Sequence, residues 1–466
     1  MSYRFKSAAG RNVVPVVPIE KAVFAGWLKT QPPDMRRWVE SSGFGAEPGS
    51  ISLIAGADGR LEEVLVGVED HDGLWSYAGL PDRLPPGDYR IDARLDKKAA
   101  TNAALGWALG SYRFEQYKSR KRKSPPAALV WPANCDRAAV KRTADATFLV
   151  RDLVNTPADD MGPAALAAAA RKVAGRHGAR CRVIVGDALL RENYPTIHAV
   201  GRAAAIPPRL IDITWGRRDA PRVSLVGKGV CFDTGGLDIK TASGMLRMKK
   251  DMAGAAHVLG LADMIMAAKL PVRLRVLIGA VENSVAGNSY HPADVIRTRK
   301  GITVEVGNTD AEGRLVMCDA LAEADREQPA LLANFSTLTG AARTAVGTEL
   351  GALFCNDDSL AADLLAAGQA VGDPLWRLPL WRPYRRLLDS KVADICNVSD
   401  GPAAGAITAA LYLNEFVSST TPWAHFDIMA WNVSAQPGRP VGGEAMGMRA
   451  LYAVIEKRFN RRSKRR

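Results

Sequence analysis

Two stretches of this 466-residue chain concentrate side chains that could do chemistry. The octapeptide Asn308-Thr-Asp-Ala-Glu-Gly-Arg-Leu315 sets Asp310, Glu312 and Arg314 two residues apart. Upstream, residues 226–254 hold Lys228, Asp233, Lys240 and Asp251 among glycines. Four carboxylates, two lysines and an arginine brought together make a poor core, because buried charges need partners. They make a good site for a hard or borderline cation, which takes oxygen and nitrogen ligands and which carboxylates can bridge in pairs.

On an extended or loop segment alternate residues share a side. Asp310, Glu312 and Arg314 are therefore expected to point into one cavity, on a loop leading into an apolar helix at 315–325. Taken alone, the octapeptide could equally be an acidic first turn complementing a helix dipole. The 226–254 segment tips the balance toward a site. Its Gly-Lys-Gly at 227–229 is not the G-x-x-x-x-G-K-[ST] pattern of a phosphate loop, and Asp233 would repel phosphate. The six histidines (71, 177, 198, 257, 291 and 425) form no recognisable ligand pair, and H-E-x-x-H is absent. Any metal site must then rest on carboxylates, with a lysine amine as a candidate nitrogen ligand. Such a lysine must be neutral, a state that burial and the metal's charge both favour.

The elements that would position these residues alternate along the chain. Short strands are expected at 13–17, 51–55 and 63–68, and an alanine-rich helix at 98–109. A basic run and Pro125-Pro126 follow as a boundary. A helix at 137–154 bridges to the second half and stops at Asn155-Thr-Pro157. From there the expected order is helix 163–177, strand 182–185, strand 223–226, helix 253–268 and strand 272–281. Helix 315–325, strand 331–336, helix 406–417 and strand 424–429 follow. This alternation indicates an α/β fold. Its C-terminal catalytic domain is expected to have a central, mainly parallel or mixed sheet flanked by helices, with a smaller N-terminal α/β domain beside it. The expected divisions are 1–125, a basic and proline-containing linker with its helix at 126–159, and 160–466. Ligands of such sheets bind outside the carboxyl ends of the strands. Lys228, Asp233 and Ser336-Thr337 are expected at or just after such ends.

Composition sets the remaining bounds. Hydrophobic residues make up 47%, normal for a globular protein, and no stretch is long and apolar enough to span a membrane. No signal peptide is evident. The six cysteines lack C-x-x-C spacing, so a thiolate zinc site is not expected, and reduced thiols in a cytoplasmic protein are. The net charge of +13 comes almost wholly from two runs, five cations within 118–123 and seven within 457–466. A solvated linker and tail is the plainer reading. Contact with nucleic acid or another polyanion is the functional one.

The segments around 228–254 and 308–315 resemble the signatures of the leucyl aminopeptidase (cytosol aminopeptidase) family. The resemblance extends over roughly 145–455. It includes Arg151-Asp-Leu-Val-Asn-Thr-Pro157, Ser336-Thr-Leu-Thr-Gly340, Ala393-Asp-Ile-Cys-Asn397, Gly405-Ala-Ile-Thr-Ala-Ala410 and Gly438-Arg-Pro440. It implies a peptide hydrolase with two divalent ions per subunit, zinc first and manganese or cobalt as alternatives. Asp233 and Glu312 would bridge the ions, Lys228 and Asp251 would complete the tighter site, and Asp310 the more exchangeable one. Lys240 and Arg314 would be the catalytic pair, Lys240 on the oxyanion and Arg314 holding a bicarbonate that acts as general base. Two cations roughly 3.5–4 Å apart can activate a shared water. Thr337, Leu338, Thr339 and Gly340 would line the site and contact bicarbonate and substrate, and Met248 the pocket for the first side chain. The family also implies peptide substrates with a free N-terminus, a homohexamer and a cytoplasmic location. Two departures stand out. Pro292-Ala293-Asp294 replaces the commoner Pro-Gly-Asp, and Gln436-Pro437 precedes Gly-Arg-Pro near the expected substrate pocket, which puts a leucine preference in doubt. A DNA-binding or architectural role on this scaffold, as an alternative or second function, is the rival reading. The intact ligand set argues against it as the sole function.

Overall fold

The computed structural model describes residues 3–8, 10, 12–120 and 124–460. Residues 121–123 of the first basic run and 461–466 of the second fall outside them, and with them most of the expected polyanion contact. Contacts divide the chain into two units, 1–148 with 433–441 and 149–432 with 442–466.

In the first unit six strands lie side by side in the order Phe5–Lys6, Ala128–Val130, Asp88–Ile91, Val14–Glu20, Leu61–Val68, Ile51–Ala55. All pairings are parallel except the last, a hairpin. Helix Lys97–Gly110 is capped by Asp96, whose carboxylate accepts the Ala99 amide at 2.8 Å. The helix buries Trp107 completely, and its indole N–H donates to the Ala127 carbonyl at 3.2 Å, so the largest side chain of this core is also satisfied.

The second unit is built on eight strands, in the order Leu375–Arg377, Gly351–Cys355, Trp423–Asp427, Leu331–Ser336, Arg222–Asp233, Arg273–Asn283, Arg209–Trp215, Arg180–Val185. The four central strands run parallel, and antiparallel pairings appear toward both edges. The central strands are nearly all apolar, as expected for strands covered on both faces. Helices Ala253–Ala267 and Glu312–Asp325 pack against them, each buried along almost its whole length. Phe335 and Phe426, opposite each other on adjacent strands, stack at 4.3 Å. Such a pair contributes roughly 0.5–1.5 kcal/mol beyond its burial.

Two expectations are corrected here. The strand read as 223–226 continues to Asp233, so Lys228 lies within it rather than at its end. Gly227 marks a close helix contact, not a turn: a Cβ there would stand 2.6 Å from Val258 and 2.8 Å from Ala255. The octapeptide is not a loop throughout. Thr309–Ala311 is a single 3-10 turn and the helix begins at Glu312, three residues before the expected start. Among the described residues no helix is long and apolar enough to cross a membrane.

Candidate active site

The four central strands end on one side of the sheet, and each ends in a polar residue. These are Asp233, Asn283, Ser336 and Asp427. A cavity of about 580 Å³ opens there. Of the expected site residues, it is lined by Lys228, Asp233, Lys240, Asp251, Asp310 and Glu312, and by Met248 and the loop 337–340. Arg314 is not among the lining residues. It sits two positions after Glu312 on a helix, where such neighbours diverge. Its buried guanidinium donates instead to the Asn397 carbonyl.

Charges in the cavity interlock. The Lys228 ammonium lies 2.7 Å from Asp251 and 2.8 Å from Glu312, with all three side chains buried. Lys240 bridges Asp233, at 2.9 Å, and Asp310. Carboxylate oxygens of Asp233, Asp310 and Glu312 fall within 4.8 Å of one another. Burial, then the charge of Asp233, pushes Asp310 up to about 6 and Glu312 well above the carboxylate range. Burial alone would lower both lysines. The charges of Asp251 and Glu312 on Lys228, and the charge of Asp233 with the hydrogen bond to Asp310 on Lys240, outweigh it and raise them. Among the described residues two buried oxygens here make no hydrogen bond, Asp251 Oδ2, which faces the Lys228 ammonium, and Glu312 Oε2. A carboxylate oxygen left so is costly unless a ligand completes it.

The octapeptide is held by residues that sequence reasoning passed over. Asn283 donates to Asp233 Oδ1 at 2.8 Å and to the Thr309 carbonyl at 3.1 Å, and Tyr290 donates to the same carbonyl at 2.6 Å. Asp238 accepts the Thr309 amide at 2.7 Å, which ties the 234–240 loop to the octapeptide. Asn397, singled out only as part of a motif, accepts the Gly307 amide and donates to the Asn308 carbonyl, both at 2.8 Å. Gly313 is required by space: a Cβ there would stand 2.7 Å from Lys228 Nζ. Asp427 holds the loop 337–340, accepting the Leu338 amide at 2.9 Å and the Thr339 hydroxyl at 2.7 Å. Lys250, Arg247, Arg343 and Met429 also line the cavity and were not foreseen. Burial pushes the Lys250 ammonium down to about 8. A strand-end acid such as Asp427 could have been found from the rule that ligands gather at carboxyl ends. Asn283, a neutral amide, gave no charge signal.

Arg151 and Asn155, from the first family motif, do structural work. Arg151 is fully buried and bidentate to Glu444, at 2.8 and 3.1 Å, and Asn155 accepts the Gly443 amide at 2.8 Å. Residues 433–441 belong to the first unit, where Pro437 lies 3.7 Å from the Cβ position of Gly79.

Comparison with known proteins agrees with this arrangement. Residues 148–452 match the catalytic domain of the cytosol aminopeptidase family, and 14–132 match the M17 aminopeptidase N-terminal domain. The chain is 44% identical over 382 residues to a probable cytosol aminopeptidase of Roseiflexus castenholzii, covering 78% of each. The crystal structure of the cytosol aminopeptidase of Coxiella burnetii superposes with a TM-score of 0.94 at 51% identity, covering 98% of this chain and 99% of that one. The bottromycin maturation enzyme BotP, in complex with Mn, superposes with a TM-score of 0.86 at 35% identity, over 95% and 99% of the two chains. The fold, the carboxyl-end site and these matches together make the chain a member of the cytosol aminopeptidase family, and a peptidase.

Proposed function

We propose that this aminopeptidase removes N-terminal residues from peptides with the help of two divalent metal ions. The observation that carries the reading is the cluster of Asp233, Asp310 and Glu312 oxygens within 4.8 Å, one of whose members keeps a buried oxygen without a partner. Lys228, Asp233, Asp251, Asp310 and Glu312 would be the residues that hold the ions. When bound, the ions would supply Lewis acidity and lower the pKa of a water to near neutrality. Zinc suits a mixed oxygen and nitrogen donor set, and manganese is the ion named with BotP.

The protein's own side chains do the rest. Lys240, held against Asp233, presents a preorganised donor for the oxyanion that forms at the scissile carbonyl. The loop 337–340, pinned by Asp427, lines the cavity where substrate would lie. Met248 is assigned to the first side chain. The assignment of Arg314 to a bicarbonate general base rests on family resemblance, and its guanidinium meets the Asn397 carbonyl. A cytoplasmic homohexamer is the assembly that family membership implies. A monomer in size-exclusion chromatography with light scattering would refute it.

The test is hydrolysis of leucine-p-nitroanilide beside its N-acetylated analogue. The free-amine substrate should be cleaved and the blocked one should not. A chelator should abolish the activity, and zinc or manganese should restore it. Activity that survives complete chelation would overturn the reading.

A further inference from the structure

The cavity contains more cations than its carboxylates occupy. Lys228 and Lys240 are each held by two carboxylates. Arg247, Lys250 and Arg343 line the same cavity and have no ion pair or side-chain hydrogen bond among the described residues. The nearby acids are already engaged. Asp251 is taken by Lys228 and by the Thr337 hydroxyl at 2.6 Å, and Asp427 by the loop 337–340. Lys250 is the telling member, because its side chain is buried in the wall. With no ion pair or side-chain hydrogen bond among the described residues, the Lys250 ammonium keeps its donors for a ligand's carboxylate in the cavity. Met248 and Met429 line the cavity as well, and their thioethers suit the methylenes of a short acidic side chain.

We propose that the cavity selects peptides whose N-terminal residue bears a carboxylate side chain, with Lys250 and Arg343 receiving that carboxylate and Arg247 strengthening the field at the rim. This rests on the hydrolase reading above and deepens it by naming the substrate class. Arginine is suited to a bidentate grip on a carboxylate, and lysine adds a point charge.

The experiment compares kcat/KM for the p-nitroanilides of glutamate, glutamine, leucine and lysine, using the metal-loaded full chain. Glutamine matches glutamate in shape, so their ratio isolates the charge. Glutamate should be preferred to glutamine by roughly tenfold or more, the scale of one charge-assisted hydrogen bond. Lys250→Gln and Arg343→Gln should each lower that ratio several-fold. Arg343→Glu, at an exposed position, should move the preference toward lysine over glutamine. A wild-type ratio of one or less, with leucine or glutamine turned over, overturns this inference and leaves the hydrolase reading standing. No turnover of any of the four substrates with any metal overturns both.

Discussion

Strand Arg273–Asn283 joins two clusters of charge that differ in kind. Near its start, Arg275 is bidentate to Asp212, at 2.8 and 3.2 Å, and reaches Glu323 at 2.9 Å and Glu327 at 3.1 Å. Arg299 takes the other oxygen of Glu323. At its end, Asn283 faces the Asp233, Asp310 and Glu312 cluster. Burial tends to raise both Glu323 and Glu312. At Glu323 the hydrogen bond from Arg275 and the charges of Arg299 and Arg275 win, and the carboxyl is held low. At Glu312 the repulsion of Asp233 adds to burial, Lys228 does not offset it, and the carboxyl is pushed well up. The lesson is that density of charge does not identify a site. A network whose guanidiniums match its carboxylates is structure, and one that leaves a buried oxygen orphaned expects a ligand.

Four measurements press on that contrast. The largest effect belongs to the structural cluster. Arg275→Met should cost about 3–5 kcal/mol of stability by stranding buried carboxylates, measured by denaturant unfolding, and the folded fraction should keep its metal affinity. Loss of metal affinity in that variant would blur the distinction. Glu312→Gln should do the reverse. Its divalent-ion affinity should fall by more than about a hundredfold in calorimetric titration, beyond what loss of an outer partner causes. Its metal-free stability should change far less than that of Arg275→Met. Asn283→Ala, which removes a supporting contact to Asp233, should weaken metal binding by roughly ten- to a hundredfold. Unchanged affinity would demote Asn283 to packing.

The smallest effect is one of sign. Glu323 is depressed in the fold, so its contribution to stability is present above the ordinary glutamate value of 4.5 and is lost as pH falls below it. Glu312 is raised, so in metal-free protein its contribution is present below 4.5 and is lost as pH rises. Melting curves against pH, taken in chelator, should therefore shift in opposite senses when Glu323→Gln and Glu312→Gln are each compared with wild type. Shifts in the same sense would break the comparison.

The sequence made the site legible where it carried charge. Lys228, Asp233, Asp251, Asp310 and Glu312 stand together, as their types and spacing suggested. It was less legible where geometry depended on the backbone. The helix starts at Glu312, so Arg314 lies on a helix and gives its guanidinium to the Asn397 carbonyl, a partner that period-2 reasoning on the octapeptide could not anticipate. Among the elements, the apolar runs at 331–336 and 253–267 were read nearly to their ends, since burial on both sides gives continuous hydrophobic sequence. The edge strand Leu375–Arg377 and the strand Arg209–Trp215 carry mixed polarity and were not foreseen. The alanine at 293, noted where glycine is commoner, adopts φ of 69°, a conformation that glycine enters without strain. The three unpaired cations of the cavity went unread for a plain reason. A lone Lys250 in sequence gives no sign of whether a carboxylate waits beside it.

The central claim is that the orphaned cluster is a metal centre. Its most direct test is metal content with activity, measured together on chelated and zinc-reconstituted protein by mass spectrometry and leucine-p-nitroanilide hydrolysis. The account predicts two ions per chain in the reconstituted wild type, hydrolysis that appears only with them, and loss of both in Glu312→Gln. Full hydrolysis by metal-free protein, or an undiminished metal content in Glu312→Gln, would contradict it.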